Sequence, residues 1–158
     1  MLIDEYDQVI LTLLKENGRL TNQELGESVG LSASQCSRRR IQLEEAGIIM
    51  GYHAQILPAA SGLAIIGLIE VRLLNHTEST VTHFHQMITL TTEITDVYKT
   101  TGDADYLLKV AVTDLAALSA LISRLVSASQ SVAHVKTSVV LERVKENGLI
   151  LPGACEAG

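Results

Sequence analysis

Over the first sixty residues, apolar positions recur at helical spacing and are punctuated by cap and glycine signals. Val9, Ile10, Leu13 and Leu14 share one face of a helix that Asp4 can cap, and Gly18 after Glu16-Asn17 supplies a stop. The pattern therefore predicts a helix over Asp4–Glu16. Thr21-Asn22-Gln23-Glu24 is a capping box flanked by Leu20 and Leu25, which can form a hydrophobic staple, and it opens a second helix. Val29-Gly30-Leu31 interrupts that helix with a glycine able to take a positive φ. Ser32-Ala33-Ser34-Gln35 is a further capping box, stapled by Leu31 and Cys36. It starts a third helix that runs to Ala46 and stops at Gly47.

After Gly47 the period changes. Ile48–Ala54 reads as a strand and Pro58–Gly62 as a linker. There follow a strand over Leu63–Leu73, a helix over Ser79–Leu90, strands over Ile94–Thr101 and Tyr106–Val112, a helix over Leu115–Ala128 and a strand over Val132–Lys145. Val81, Phe84 and Ile88 give the first of these helices its apolar stripe, and Leu115, Leu118, Leu121, Ile122 and Leu125 give the second a stronger one. The order βαββαβ is that of a ferredoxin-like fold, so the fold class expected is α+β, a helix-turn-helix followed by such a sheet.

Two helices cover only one face of a four-stranded sheet. Alternation assigns Ile65, Ile69, Val71, Leu108, Val110, Val135, Val139 and Leu141 to the covered side. Ile66, Leu68, Leu107 and Val140 then lie on the open side beside Glu70, Arg72, Lys109 and Lys136. That mixture is too apolar to leave in water, and pairing with a second copy would bury it; an ordinary amphipathic sheet face is the alternative.

Composition sharpens this picture in a few places. Hydrophobic residues make up 47% and charged residues 19% of the 158-residue chain. No apolar run approaches the roughly 18 residues of a membrane span. Acidic residues stand where a secretory signal would be basic, and a cytoplasmic protein is expected. Cys36 and Cys155 are the only cysteines and lack ligand spacing, so neither a disulfide framework nor a metal site is expected, and no cofactor. The net charge of −6 runs against binding a polyanion, but its distribution matters more than its sum. The five basic residues among the first sixty include the consecutive Arg38, Arg39 and Arg40.

Two short helices joined at a glycine turn, with an arginine triplet on the second, form the pattern of a DNA-reading helix-turn-helix; a plain three-helix bundle with solvated arginines is the alternative. If Cys36 and Leu43 point inward, Arg40 falls with them, while Ser34, Arg38, Ile41 and Gln42 face outward and Gln35, Ser37 and Arg39 flank them. Arg40 then reaches either toward phosphates or toward Glu44. Ile41 could touch a thymine methyl. The candidate contacts to double-stranded DNA are Ser32, Ser34, Gln35, Ser37, Arg38, Arg39 and Gln42. A second candidate site is the turn from Thr101 to Tyr106. Gly102 allows a tight bend exposing N–H groups that can hold an α-carboxylate, and Asp103 or Asp105 can pair with an α-ammonium. Such a turn is equally an ordinary hairpin connection. Lys99 would favour an effector with a second acidic group, unless it pairs with Glu93 or Asp103.

Several stretches resemble the leucine-responsive regulatory protein/AsnC, or feast/famine, family of transcription regulators. They are Gly18-Arg19-Leu20-Thr21, Glu24-Leu25, Val29-Gly30-Leu31-Ser32, Leu43–Ile49, Gly51-Tyr52, Thr101–Val110, Val139-Val140-Leu141 and Val144-Lys145. The resemblance spans roughly Ile3 to Leu151. It implies a winged helix-turn-helix, a ferredoxin-like sensing domain, homodimers assembling into octamers or similar disks, and an amino acid or related metabolite as effector. It places the effector pocket between dimers at the Thr101, Gly102, Asp103 and Asp105 turn, with Leu115 and the Ser138-Val139-Val140 stretch nearby. Arg40 and Ile41 depart from it, since the family usually has a branched apolar residue followed by a basic one there. Gln130-Ser131 replaces a common proline-glycine pair, and Leu118 stands where an aromatic is common. The implied division is residues 1–50 for DNA, 51–62 as strand and linker, 63–151 for effector binding and oligomerisation, and 152–158 as a tail.

Some relatives of this architecture are siroheme decarboxylases, which rely on clustered histidines and arginines. Here His53, His76, His83, His85 and His134 are scattered, and no carboxylate makes an evident base with them, so no catalytic residues and no enzymatic activity are expected. An architectural DNA-binding protein without effector is the other alternative.

Overall fold

In the computed structural model, residues 2–54, 56, 58–127 and 131–150 are described. Cys155, Ala128, Gln130, Leu151 and the 152–158 tail, on which some of the expectations above bear, lie outside them. The chain divides into two compact units, 1–55 and 56–158.

The first unit holds α1 (Glu5–Glu16), α2 (Asn22–Val29) and α3 (Ala33–Glu45). Each begins on a reciprocal capping box, built by Asp4 with Asp7, Thr21 with Glu24 and Ser32 with Gln35, so the first free N–H groups of all three helices are met by side chains. Ile10, Leu14, Leu25, Cys36 and Leu43 form the core, ringed by Leu11, Leu13, Leu20, Val29, Leu31, Ile48 and Ile49.

The α2–α3 turn is unusually tight. Gly30 takes a left-handed φ of +78° as the C-cap of α2. Gly26 is buried, and a Cβ placed on it would meet the Leu31 carbonyl oxygen at 2.5 Å, so the two helices approach as closely as they do only because this position has no side chain.

The strand expected over Ile48–Ala54 does not form; none of these residues is in a strand. The N–H groups of Ile48 and Ile49 instead both donate to the Leu43 carbonyl, at 2.9 and 3.1 Å, closing the end of α3. Their side chains pack on the helical core, so the apolar run that reads as a strand is a helix terminus folded back on its own bundle.

In the second unit a 3-10 turn (Pro58–Ser61) precedes β1 (Ile65–Leu73), α4 (Glu78–Leu90), β2 (Ile94–Lys99), β3 (Tyr106–Val112), α5 (Leu115–Ser127), β4 (Val132–Val139) and a small hairpin of β5 (Lys145–Glu146) and β6 (Leu149–Ile150). The sheet is antiparallel with order β2-β3-β1-β4, the ferredoxin-like arrangement. Ile69, Val71, Leu73, Leu108, Val110, Val112 and Val132 pack beneath Phe84 of α4 and Leu118, Leu121 and Leu125 of α5. Leu118 is itself almost fully buried.

Two residues assigned to the covered face are not covered. Val139 is 40% exposed at the end of the edge strand β4, and Leu141 is 98% exposed beyond it. The strand expected to continue to Lys145 stops because the chain turns away after Val139 to build the hairpin. On the other face, Glu146 of that hairpin binds both Lys109 of β3 and Arg143, and residues 142–147 line a cleft with Ile66, Leu68, Tyr98 and Val140. Ile66 is thereby left 8% exposed while Leu68 keeps 36%. Part of the sheet's apolar open face is thus covered by the chain's own end.

Replacing Gly26 by Ala should destabilise the helical unit by about 1–3 kcal/mol, because the new methyl meets backbone that cannot yield. Gly30→Ala, which meets open space, should cost only the left-handed strain of about 1–2 kcal/mol. Urea unfolding followed by circular dichroism checks both, and a Gly26→Ala protein as stable as the parent would refute the close approach.

Candidate functional site

In the first unit, the face of α3 opposite the core is exposed. Cys36 and Leu43 are fully buried, which turns Ser34, Gln35, Arg38, Ile41 and Gln42 to solvent and leaves Ser37, Arg39 and Arg40 half-buried. The phase read from the sequence is therefore the phase of the helix, but the polar groups on it are not equally free. Ser32 caps the helix, and Gln35 spends its side-chain oxygen on the Ser32 N–H and hydroxyl, both at 2.9 Å.

The three arginines differ sharply. Arg38 is exposed and makes no ion pair. Arg39 donates from Nη1 to Asp4 Oδ2 and to Asp7 Oδ1, each at 2.8 Å, with its guanidinium 5.3 Å from the Tyr6 ring. Its side chain is only 23% exposed and that of Asp7 only 4%. The Asp7 and Asp4 carboxylates raise the affinity of Arg39 for its proton, and the Asp7 N–H with Arg39 holds the Asp4 carboxyl below its ordinary range. The charge of Arg39, expected as a DNA contact, is thus already balanced inside the unit by two carboxylates. Arg40 takes the Glu44 alternative: its Nε donates to Glu44 Oε1 at 3.2 Å and to the Tyr52 hydroxyl at 2.8 Å, and Nη1 donates to the Leu20 carbonyl at 3.2 Å. The guanidinium stacks 4.5 Å from the Tyr52 ring centroid. Tyr52 was visible in the sequence, but its role as the partner of an inward arginine was not, since nothing in helical periodicity locates a residue twelve positions away.

In the second unit, the 100–105 turn joins β2 to β3 at one end of the sheet. Gly102 has φ +112°. The Thr100 N–H donates to the Asp105 carbonyl and the Thr100 hydroxyl to that of Ala104, at 2.9 and 2.7 Å. The N–H groups of Gly102, Asp103 and Ala104 find no acceptor among the described residues.

The two acidic residues are held differently. Asp105, expected as the preferred anion, is a pin: Oδ2 accepts from the Leu73 N–H at 2.7 Å, Oδ1 lies 2.7 Å from His76 Nε2, and its own N–H donates to Val71 O. Burial pushes its carboxyl up, but the His76 and Leu73 hydrogen bonds together with the charges of His76 and Arg72 outweigh that and hold it below the ordinary range. Asp103 is the free one, fully exposed, with Arg72 donating to its carbonyl at 2.8 Å and only a 3.9 Å approach to its carboxylate. Asp105 is thereby a carboxylate partner of His76. The remaining ring contact, His85 Nε2 at 3.0 Å from the Tyr106 hydroxyl, involves no carboxylate. Lys99 pairs with neither Glu93, which binds Arg124, nor Asp103. No group of three or more potential metal ligands occurs among the described residues, nor a helix long and apolar enough to cross a membrane.

A single chain does not bring all the expected effector residues together. Leu115 follows β3 at the end opposite the turn, roughly 20 Å away for a seven-residue strand. Ser138 pairs with Leu68 and the Val140 N–H donates to Ile66 O, also toward that far end. Leu115 is 61% exposed.

A helix-turn-helix unit followed by a ferredoxin-like sheet unit defines a DNA-binding transcription regulator with a separate ligand-binding domain. Residues 3–50 match a family model described as winged helix-turn-helix DNA-binding, and residues 67–150 match one described as the Lrp/AsnC ligand binding domain. The chain belongs to the Lrp/AsnC family of transcriptional regulators. It is 32% identical over 149 residues to the leucine-responsive regulatory protein of Haemophilus influenzae, covering 94% of this chain and 90% of that protein. It is 32% identical over 147 residues to the proline dehydrogenase transcriptional activator of Rhizobium radiobacter, covering 93% and 94%. Among solved structures, a transcriptional regulator of Neisseria meningitidis in complex with L-Met superposes with a TM-score of 0.84 at 35% identity, covering 96% of this chain and 97% of that one.

Asp105→Asn should destabilise the sheet unit by about 1–3 kcal/mol, the range for a hydrogen bond to a charged group. Because the folded carboxyl titrates lower than the unfolded one, the stabilisation is present above the ordinary Asp range of about 3.9 and disappears as pH falls through the lower folded value. The difference between wild type and variant measured by thermal unfolding should therefore shrink below about pH 4; a difference independent of pH would sink the assignment.

Proposed function

We propose that this protein is a cytoplasmic, sequence-specific regulator that reads double-stranded DNA through the outer face of α3 and whose assembly or activity responds to a free α-amino acid. The observation that carries the DNA reading is the sorting of the arginines. Of the three arginines on α3, Arg38 is the exposed one and has no ion pair among the described residues, on a firmly capped helix whose inner face is fixed by Cys36 and Leu43. Arg38 then makes the charged contact, with Ser34, Ser37 and Gln42 beside it and Ser32 and Gln35 supporting the helix start against the backbone of the duplex. Arg38→Ala should weaken binding to an operator selected by this protein from random duplexes by about 1–3 kcal/mol. Fluorescence anisotropy checks it, and unchanged affinity would remove α3 from the interface.

The effector reading rests on the unsatisfied N–H groups of the Gly102 turn beside the exposed carboxylate of Asp103, which together offer donors for a carboxylate and an anion for an ammonium. A relative solved with L-Met supports an amino acid. The separation of Leu115, Ser138 and Val140 from the turn fits a site completed by a neighbouring copy, so the pocket forms between homodimers as they assemble into an octamer or similar ring. A thermal-shift screen against the free amino acids should reveal the effector as a rise in melting temperature. Asp103→Asn should cost about ten- to a hundredfold in its affinity. No shift with any amino acid would favour an architectural DNA-binding protein.

Dimerisation is proposed to use the open sheet face that the C-terminal hairpin leaves uncovered, around Leu68. Leu68→Asp should yield monomers or unfolded protein, because a charge is placed in a desolvated contact. Light scattering reads the outcome, and a wild-type chain that remains a folded monomer at micromolar concentration would refute it.

A further inference from the structure

The two carboxylates at the start of α1 do two things at once. Asp4 Oδ1 accepts the Asp7 N–H at 2.9 Å and Asp7 Oδ2 accepts the Asp4 N–H at 3.3 Å, which completes the capping box. The remaining oxygen of each, Asp4 Oδ2 and Asp7 Oδ1, receives Arg39 Nη1. No carboxylate oxygen in this group is left without a donor. Asp7 is 3% exposed, so breaking the pair would strand a charge among apolar side chains, whereas holding it locks the middle of α3 to the first turn of α1. Successive residues of a helix point about 100° apart. Pinning Arg39 inward therefore sets the direction in which Arg38 leaves the helix.

We infer that Asp4, Asp7 and Arg39 form a clamp that aims Arg38 at DNA, with Arg39 acting as a positioning residue and not as a contact to the duplex. This rests on the reading of α3 as the DNA-facing helix. Three observations favour it over a phosphate contact. Arg39 carries two carboxylates at hydrogen-bond distance, so the group as a whole bears a net negative charge and repels a phosphate. The surface around it is lined by Asp4, Asp7 and Glu45. Arg39's side chain is less than one quarter exposed, and it lies over Tyr6.

The test compares two duplexes, an operator selected by the wild-type protein and a random sequence, across a range of salt concentrations. The clamp predicts that Arg39→Ala and Asp7→Asn each lose about five- to a hundredfold in operator affinity, the scale of one lost base contact. Affinity for the random duplex and the salt slope should stay at wild-type values, and the double variant should lose no more than either single one. Arg38→Ala should show the same selective loss on the operator, whereas losing a phosphate contact would make the salt slope shallower by about 0.9. A slope change of that size in Arg39→Ala would overturn the clamp in favour of a direct contact. Unchanged operator affinity in Asp7→Asn would overturn it too, as would equal losses on both duplexes. If removing Arg39 prevents folding, Asp4→Asn decides, because it keeps an oxygen for the cap and removes only the exposed half of the pair; it should show the same selective loss at smaller size. Wild-type operator affinity in Arg38→Ala would instead reject α3 as the DNA-facing helix, which is a separate failure.

Discussion

A carboxylate removed from water has to be met by N–H donors or by opposite charge, and each unit of this chain is organised around one such group. In the helical unit it is Asp7, with one oxygen on the Asp4 N–H and the other on Arg39. In the sheet unit it is Asp105, with one oxygen on the Leu73 N–H and the other on His76. Both use the same device: one oxygen fixes local backbone and the other reaches a side chain distant in sequence, 32 residues away for Arg39 and 29 for His76. The consequences differ with burial. Asp7 is almost wholly enclosed and its partner is always charged, so the α1–α3 contact is permanent. Asp105 retains some exposure and its imidazole partner is largely open to solvent, so the link between the β2–β3 turn and the end of β1 is softer.

These two carboxylates also mark where the sequence stops being informative. Caps and periods are local, and the sequence displays them openly: the Asp4 cap, the capping boxes at Thr21 and Ser32, the stripe of α5 and the βαββαβ order follow from residues a few positions apart. Long-range pairings are not local. Asp4 reads as a cap and is one, but nothing in its neighbourhood announces Arg39. Asp105 reads as a free anion in a turn because its donors lie on β1 and in the loop before α4. The Ile48–Ala54 segment shows the reverse failure: its apolar run has strand composition, but the unfilled carbonyl at the end of α3 and the open edge of the helical core claim it first. Gly26 gave no signal either, since a glycine within a helix looks only like a weak helix former until the Leu31 carbonyl is found against it.

The same accounting explains how an acidic protein can hold DNA. Of the three arginines on α3, two are neutralised within the unit, by Asp4 and Asp7 and by Glu44. With one arginine on α3 unpaired among the described residues, that helix alone would release few counterions. Binding strength must then come from number. Linking several such helices through their sheet units makes each further contact intramolecular, and the avidity gained depends on the spacing the assembly imposes. An effector that changes how copies meet at the Gly102 turn would alter that spacing and hence DNA affinity without touching α3. Weak individual contacts would thereby make assembly the quantity worth regulating.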